Sequence, residues 1–177
     1  MKFLTKILAL LLLLGSLRIS YAVEFEETID TIEIRKAAMQ NLWQRIKRLS
    51  PYVELKEKVE YNKDLAVTDA QEVINLLEQT KNLWPLNSNI SGKGFTNATP
   101  AIWVLPDYFE KLYSSAEKSA YILKQSILDD DIDSTISAMC NLGTSCGTCH
   151  ANFRRLLTSQ LANEVSGWSG QYVNGCK

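Results

Sequence analysis

The one histidine of this 177-residue chain, His150, directly follows a Cys-x-x-Cys, in the run CNLGTSCGTCHANFRR over 140–155. On a helix, Cys146, Cys149 and His150 stand at i, i+3 and i+4 and share one face. Two thiols and an imidazole are therefore presented to the same object. Haem fits that object. The thiols can add to porphyrin vinyl groups as thioethers while the imidazole Nε2 binds iron beneath the ring, and Cys-x-x-Cys-His is the attachment signal for c-type haem. A lone histidine excludes bis-histidine ligation within the chain. The sixth position of the iron then holds methionine, a weaker ligand, water or nothing.

Three other readings compete for the motif. A Cys-x-x-Cys redox centre usually opens a helix in a βαβ setting, and this chain offers no strand-like alternation of useful length. Zinc could count four ligands in Cys140, Cys146, Cys149 and His150. Cys140, however, is six residues before Cys146, about 240° round a helix, so it points elsewhere. A chance occurrence with plain disulfides is the third.

The chain begins MKFLTKILALLLLLGSLRISYA. Lys2 and Lys6 make a positive start, an apolar run follows from Ile7 to Leu14, and small residues end at Ala22. That is the layout of a secretory signal peptide cleaved after Ala22. The run is far shorter than the ~20 residues of a bilayer span, which argues against a membrane anchor. No later stretch is apolar enough to span a membrane. The expected organisation is a signal peptide over 1–22, a helical bundle over 23–160 and a C-terminal extension over 161–177, in the periplasm. The whole chain carries 19 Lys and Arg against 20 Asp and Glu. The leader removes Lys2, Lys6 and Arg18 and no acid, leaving a mildly acidic mature domain without the clustered basic surface of a nucleic-acid binder. An oxidising compartment permits disulfides and disfavours a free catalytic Cys-His pair.

The remaining pattern is helical, without internal repeats. A first helix is expected over 26–49, with Ile32, Arg35, Met39, Leu42 and Ile46 on one face and Pro51 after its end. A second is expected to start at Thr68, where Thr68 and Gln71 form a capping-box pattern. Val73, Ile74, Leu77 and Trp84 are expected to carry its buried stripe and Pro85 closes it. The segment 86–106, rich in Gly, Asn and Ser, reads as a long surface loop. A third helix is expected from Asp107, with Glu110 as cap partner; Phe109, Leu112, Tyr113, Ala116, Ala120, Leu123 and Ile127 face inward. The acidic run Asp129 to Asp133 should cap a fourth helix, running roughly from Asp131 to Ala162 and slackening near Gly143 and Gly147. The fold class is all-α, an antiparallel four-helix bundle with one long crossover.

From about Ile29 to Leu157 the chain resembles the cytochrome c′ family, exported four-helix-bundle haem proteins that include six-coordinate, low-spin relatives. The resemblance rests on IEIRKAAMQNLW in the first helix, TPAIWVLPDYF before the third, the acidic stretch before the fourth, and CGTCHANFRR late in the chain. It implies one covalently attached haem c (iron) per chain, bonded by Cys146 and Cys149, with His150 as proximal ligand. Arg35 matches the family's first-helix arginine and should pair with a haem propionate. Arg154 matches a basic residue that shapes the space beside the histidine. Met39 matches the distal position, where the family has both ligating methionines and residues that only restrict access. Trp103 and Phe153 are expected to pack rather than relay electrons.

The chain departs from the family in its extension, roughly Thr158 to Lys177, and in two extra cysteines, Cys140 and Cys176, which could form a disulfide. The implied function is one-electron transfer with an unnamed redox partner protein. The alternative is a five-coordinate haem that binds nitric oxide or carbon monoxide. Many family members form homodimers through their first two helices. Enzymatic turnover is not expected, because the single histidine leaves none for distal acid–base work.

Overall fold

The computed structural model describes residues 26–49, 62–90 and 96–155. Four long helices account for most of them: α1 (26–49), α2 (Lys63–Lys81), α4 (Pro106–Leu128) and α5 (Ile132–Phe153). A 3-10 turn at Leu86–Ser88 and a four-residue helix α3 (Ala101–Val104) lie in the crossover between α2 and α4. That segment is therefore partly helical, not the plain loop its composition suggests. Among the described residues the only strand-like pairing is an isolated antiparallel bridge between Ala98 and Arg154.

The 3.6-residue period puts one stripe of each long helix into a common core. Leu42, Ile46 and Leu49 come from α1, and Ala70, Val73, Ile74 and Leu77 from α2. Tyr113, Ala116, Ala120, Leu123 and Ile127 come from α4, and Ala138, Met139 and Leu142 from α5. Each fully buried Leu or Ile contributes about 1.5–3 kcal/mol relative to exposure. Polar clamps fix how the helices meet. The buried Asp69 carboxylate of α2 accepts from Arg45 Nη1 at 2.9 Å and Arg48 Nε at 2.8 Å, both on α1. Lys63 Nζ donates to Leu128 O at 2.8 Å and to Asp130 at 2.6 Å, tying the start of α2 to the α4–α5 turn.

The ends of the helices correct three expectations. α2 starts five residues before Thr68: Asn62 is its N-cap, with Oδ1 accepting from Leu65 N at 3.2 Å. The Thr68 hydroxyl instead donates to Asp64 O at 2.8 Å, inside the helix. Burial of Ala66 draws the earlier turn into the core. α4 begins at Pro106, whose missing N–H suits the first helical position; Asp107 lies in the first turn and there is no side-chain cap.

α5 does begin as expected, with Asp131 accepting from Ser134 N at 3.0 Å and Ser134 Oγ at 2.7 Å. It runs unbroken past Gly143 and Gly147 and stops at Phe153 rather than Ala162. Arg154 is extended, at φ −115° and ψ 136°. Thr99 N donates to Phe153 O at 2.9 Å and Arg155 N to Asn97 O at 2.6 Å, so the crossover captures the chain where the helix would have continued. The leader 1–22, the extension 161–177 and Cys176 lie outside the described residues. Cys140 is disulfide-bonded, while Cys146 and Cys149 are free thiols.

Asn62→Ala should lower stability by about 1 kcal/mol in thermal or denaturant unfolding. Thr68→Ala should be close to neutral, since it removes only a bond back to the preceding turn; the reverse order of the two costs would contradict the helix start at Lys63. A second expectation concerns acid. The Ser134 backbone N–H, then its hydroxyl, hold the Asp131 carboxyl below its ordinary value. A depressed folded-state value means stability that is present above the unfolded pKa and lost as pH falls through the folded one. Asp131→Asn keeps the cap acceptor, so its stability at pH 7 should match the parent while its loss below about pH 4 is smaller. An unchanged acid limb would show that the cap charge contributes nothing.

Candidate cofactor site

The last two turns of α5 carry Cys146, Cys149 and His150 to the wall of a cavity of about 550 Å³. That volume lies within the usual range of cofactor sites, about 300–1,000 Å³. From α1, Arg35, Met39 and Trp43 border it; from α4, Phe109 and Tyr113. Arg154, just past the end of α5, closes one side, with Trp84 and Thr96 of the crossover on another. The six residues singled out in the sequence, Arg35, Met39, Cys146, Cys149, His150 and Arg154, thus border one space, and Cys140 does not.

Burial sets the protonation of the attachment motif. Loss of hydration pushes the Cys146 thiol up to about 12, with Cys149 adding to the shift, and the Cys149 thiol up to about 11. Burial, then the charge of Arg154, pulls His150 down to about 4. At neutral pH the site holds two thiols and a neutral imidazole, the form of histidine that ligates metal. Thiolate chelation of a bare ion is opposed by the same burial. Among the described residues no group of three His, Cys, Asp or Glu side chains is arranged to hold a metal ion.

Arg35 is buried, at 2% exposure. Its Nη1 donates to Leu83 O at 2.9 Å and Ser88 Oγ at 3.3 Å, and its Nη2 to Thr96 Oγ1 at 3.3 Å. All three partners are neutral. Among the described residues no carboxylate forms an ion pair with it. Burial lowers its pKa to about 10, so it remains a cation at pH 7. A buried charge without a counter-ion is strongly unfavourable. The guanidinium lies 4.1 Å from the centroid of the Trp84 ring, and Trp84 Nε1 is buried with no hydrogen-bond partner. An apolar chamber, two thiols, a neutral imidazole, a cation and an orphaned N–H together fit haem, an apolar disc with two carboxylates.

An aromatic frame holds these walls. Ring centroids are 5.0 Å apart for Trp84 and Phe109, 5.3 Å for Phe109 and Phe153, and 5.7 Å for Tyr108 and Phe153. Tyr113 donates to Leu77 O at 3.0 Å and contacts the Thr80 hydroxyl, joining α4 to α2 behind the cavity. Trp103 Nε1 donates to Trp84 O at 3.1 Å and Pro85 O at 3.2 Å, so Trp103 braces the frame from outside. Sequence reasoning missed Trp43, Trp84 and Thr96 as site residues. Trp43 was within reach of it, eight residues after Arg35 and four after Met39 on the same helix. Trp84 was expected only as the last residue of the α2 stripe; α2 ends at Lys81, three residues before it, so that periodicity does not set its direction.

Residues 30–154 match the family model described as Cytochrome C′. Cytochrome c-554 of Cereibacter sphaeroides is 32% identical over 101 residues, covering 56% of this chain and 65% of that protein's length. Among solved structures, cytochrome c prime from Shewanella frigidimarina superposes with a TM-score of 0.66 at 24% identity, over 74% of this chain and 98% of that one. A nitric oxide complex of a variant of cytochrome c prime from Alcaligenes xylosoxidans gives 0.65 at 19% identity, over 73% and 97%. At these identities the two structures establish the bundle fold.

Proposed function

The chain belongs to the cytochrome c′ family and is a monohaem c-type cytochrome, and we propose that it serves as a one-electron carrier with haem c fastened to Cys146 and Cys149 and held by His150. The observation that carries this reading is the joint placement of both thiols, the neutral imidazole and the Met39 thioether on one apolar cavity. Haem, when bound, supplies a one-electron iron couple, whose reduced state thioether ligation favours.

The residues divide the remaining work. Cys146 and Cys149 fix the ring to one helical face, so its orientation follows α5. His150, kept neutral by burial, offers a nitrogen lone pair. Met39 offers a sulfur from α1. Arg35 supplies the positive charge that a propionate requires, and its bonds to Leu83, Ser88 and Thr96 hold it in place. Arg154 crowds the space beside His150 and opposes its protonation. Phe109 and Phe153 exclude water.

The disulfide at Cys140 supports an oxidising compartment and with it the reading of 1–22 as an export leader and a periplasmic location. With Cys146 and Cys149 free, we take Cys176 as its partner, which ties the C-terminal extension to α5. Among the described residues no helix is long and apolar enough to cross a membrane. Enzymatic turnover is not part of the proposal, since His150 is the only histidine. The partners proposed are a redox protein and a second copy of the chain meeting through α1 and α2.

One observation favours a second reading. Met39 is only half-buried among apolar neighbours, a place from which it can cover the iron instead of binding it, and nitric oxide complexes exist for a structural neighbour. Gas binding at an open sixth site is that alternative. Absorption spectra of the reduced holoprotein separate the two. The carrier should show a sharp low-spin α band that carbon monoxide does not move, and Met39→Ala should abolish it. A broad high-spin spectrum that shifts with carbon monoxide favours the gas binder, and an unchanged low-spin spectrum in Met39→Ala removes methionine as ligand.

A further inference from the structure

We propose that Trp84 is a positioning residue for the bound haem, its indole N–H donating to the same carboxylate that the Arg35 guanidinium pairs with. This rests on the haem reading above and extends it to a residue that the Cys-x-x-Cys-His motif does not reach. Trp84 Nε1 is buried and lacks a partner, although Trp84 borders the cavity. An orphaned buried donor costs about 1–3 kcal/mol, so a native protein that keeps one is expected to satisfy it with something bound.

The ring cannot turn away to find water. Arg35 covers one face at 4.1 Å, and Phe109 and Trp103 pack edgewise at centroid separations of 5.0 and 6.5 Å. The Trp84 carbonyl is itself engaged by Trp103 Nε1.

The Arg35 side of the pair is likewise incomplete. A guanidinium has five N–H donors, and its three hydrogen bonds here go to a carbonyl and two hydroxyls. Those hydroxyls are committed: Ser88 Oγ donates to Pro85 O at 2.7 Å, and Thr96 Oγ1 accepts from Ala98 N at 3.0 Å. Neither brings negative charge. One cation and one neutral donor, side by side on the same wall, call for an anionic acceptor with more than one oxygen. A carboxylate offers two oxygens and about four lone-pair directions, enough for both. Hydrogen bonds to a charged acceptor are about twice as strong as neutral ones, so the pair would fix the in-plane rotation of the ring that the thioethers anchor at its other edge.

The test uses the reduced holoprotein under carbon monoxide, diamagnetic whether Met39 or the gas fills the sixth position, labelled with 15N at tryptophan, together with Trp84→Phe, which keeps a ring beneath Arg35 but removes the donor. The Trp84 indole proton should resonate downfield of free indole and exchange with solvent about 100-fold more slowly. The infrared carboxylate bands of the haem propionates should shift in Trp84→Phe and stay in place in Trp103→Phe, whose N–H serves only backbone carbonyls. A Trp84 proton at the free-indole position, or exchanging within about tenfold of it, overturns the proposal without any variant. Unchanged propionate bands in Trp84→Phe overturn it too, leaving water as the partner. Haem content by mass is read on the same samples: a wild-type chain without haem sinks the haem reading itself, whereas a loaded Trp84→Phe chain with unmoved bands sinks only the role of Trp84.

Discussion

Everything in this molecule is arranged around the burial of one face of α5. Cys146, Cys149 and His150 fall together because three- and four-residue steps return to the same side of a helix, and that side faces the interior. Burial keeps both thiols protonated and the imidazole neutral. A helix carrying that set cannot be closed by ordinary core packing without burying reactive groups to no purpose. The other helices instead leave a chamber in front of it, walled by α1 and α4 and floored by aromatic rings.

The chamber has a charged side, and that side is built as deliberately as the apolar one. Arg35 is fixed by neutral oxygens from the crossover and by the face of Trp84, with no anion from the described protein. The crossover thus has a structural task that its loop-like composition hides. It carries the partners of Arg35, it supplies Trp84, and through Asn97, Ala98 and Thr99 it pins the point where α5 ends. The Arg35 cation, the Trp84 indole and the end of α5 share one support.

What the sequence revealed and what it hid follow from the range of the interactions. α1 was legible over its described length because periodicity runs unbroken across it. The motif on α5 was legible because its chemistry is encoded in five consecutive residues. The start of α2 was misplaced because Thr68 and Gln71 mimic a cap, while the burial of Ala66 that favours Asn62 depends on contacts far away in sequence. The end of α5 was also hidden, because the bridge from Ala98 to Arg154 leaves no mark near Phe153. Trp84 was expected to end the α2 stripe, but α2 stops at Lys81, so helical periodicity could not show that it faces the cavity. Cys140 was correctly turned away from the cavity by counting helical angles, but a spacing argument cannot name the far end of its disulfide.

The central claim is a covalent one, and intact mass measures it most directly. The exported protein, made in a host that matures c-type cytochromes, should weigh its mature polypeptide plus one haem, less the two hydrogens of one disulfide. Denaturation and alkylation without reduction should add nothing if haem occupies Cys146 and Cys149 and the proposed disulfide joins Cys140 to Cys176. A mass equal to the polypeptide alone, with Cys146 and Cys149 open to alkylation, would contradict the account at its root.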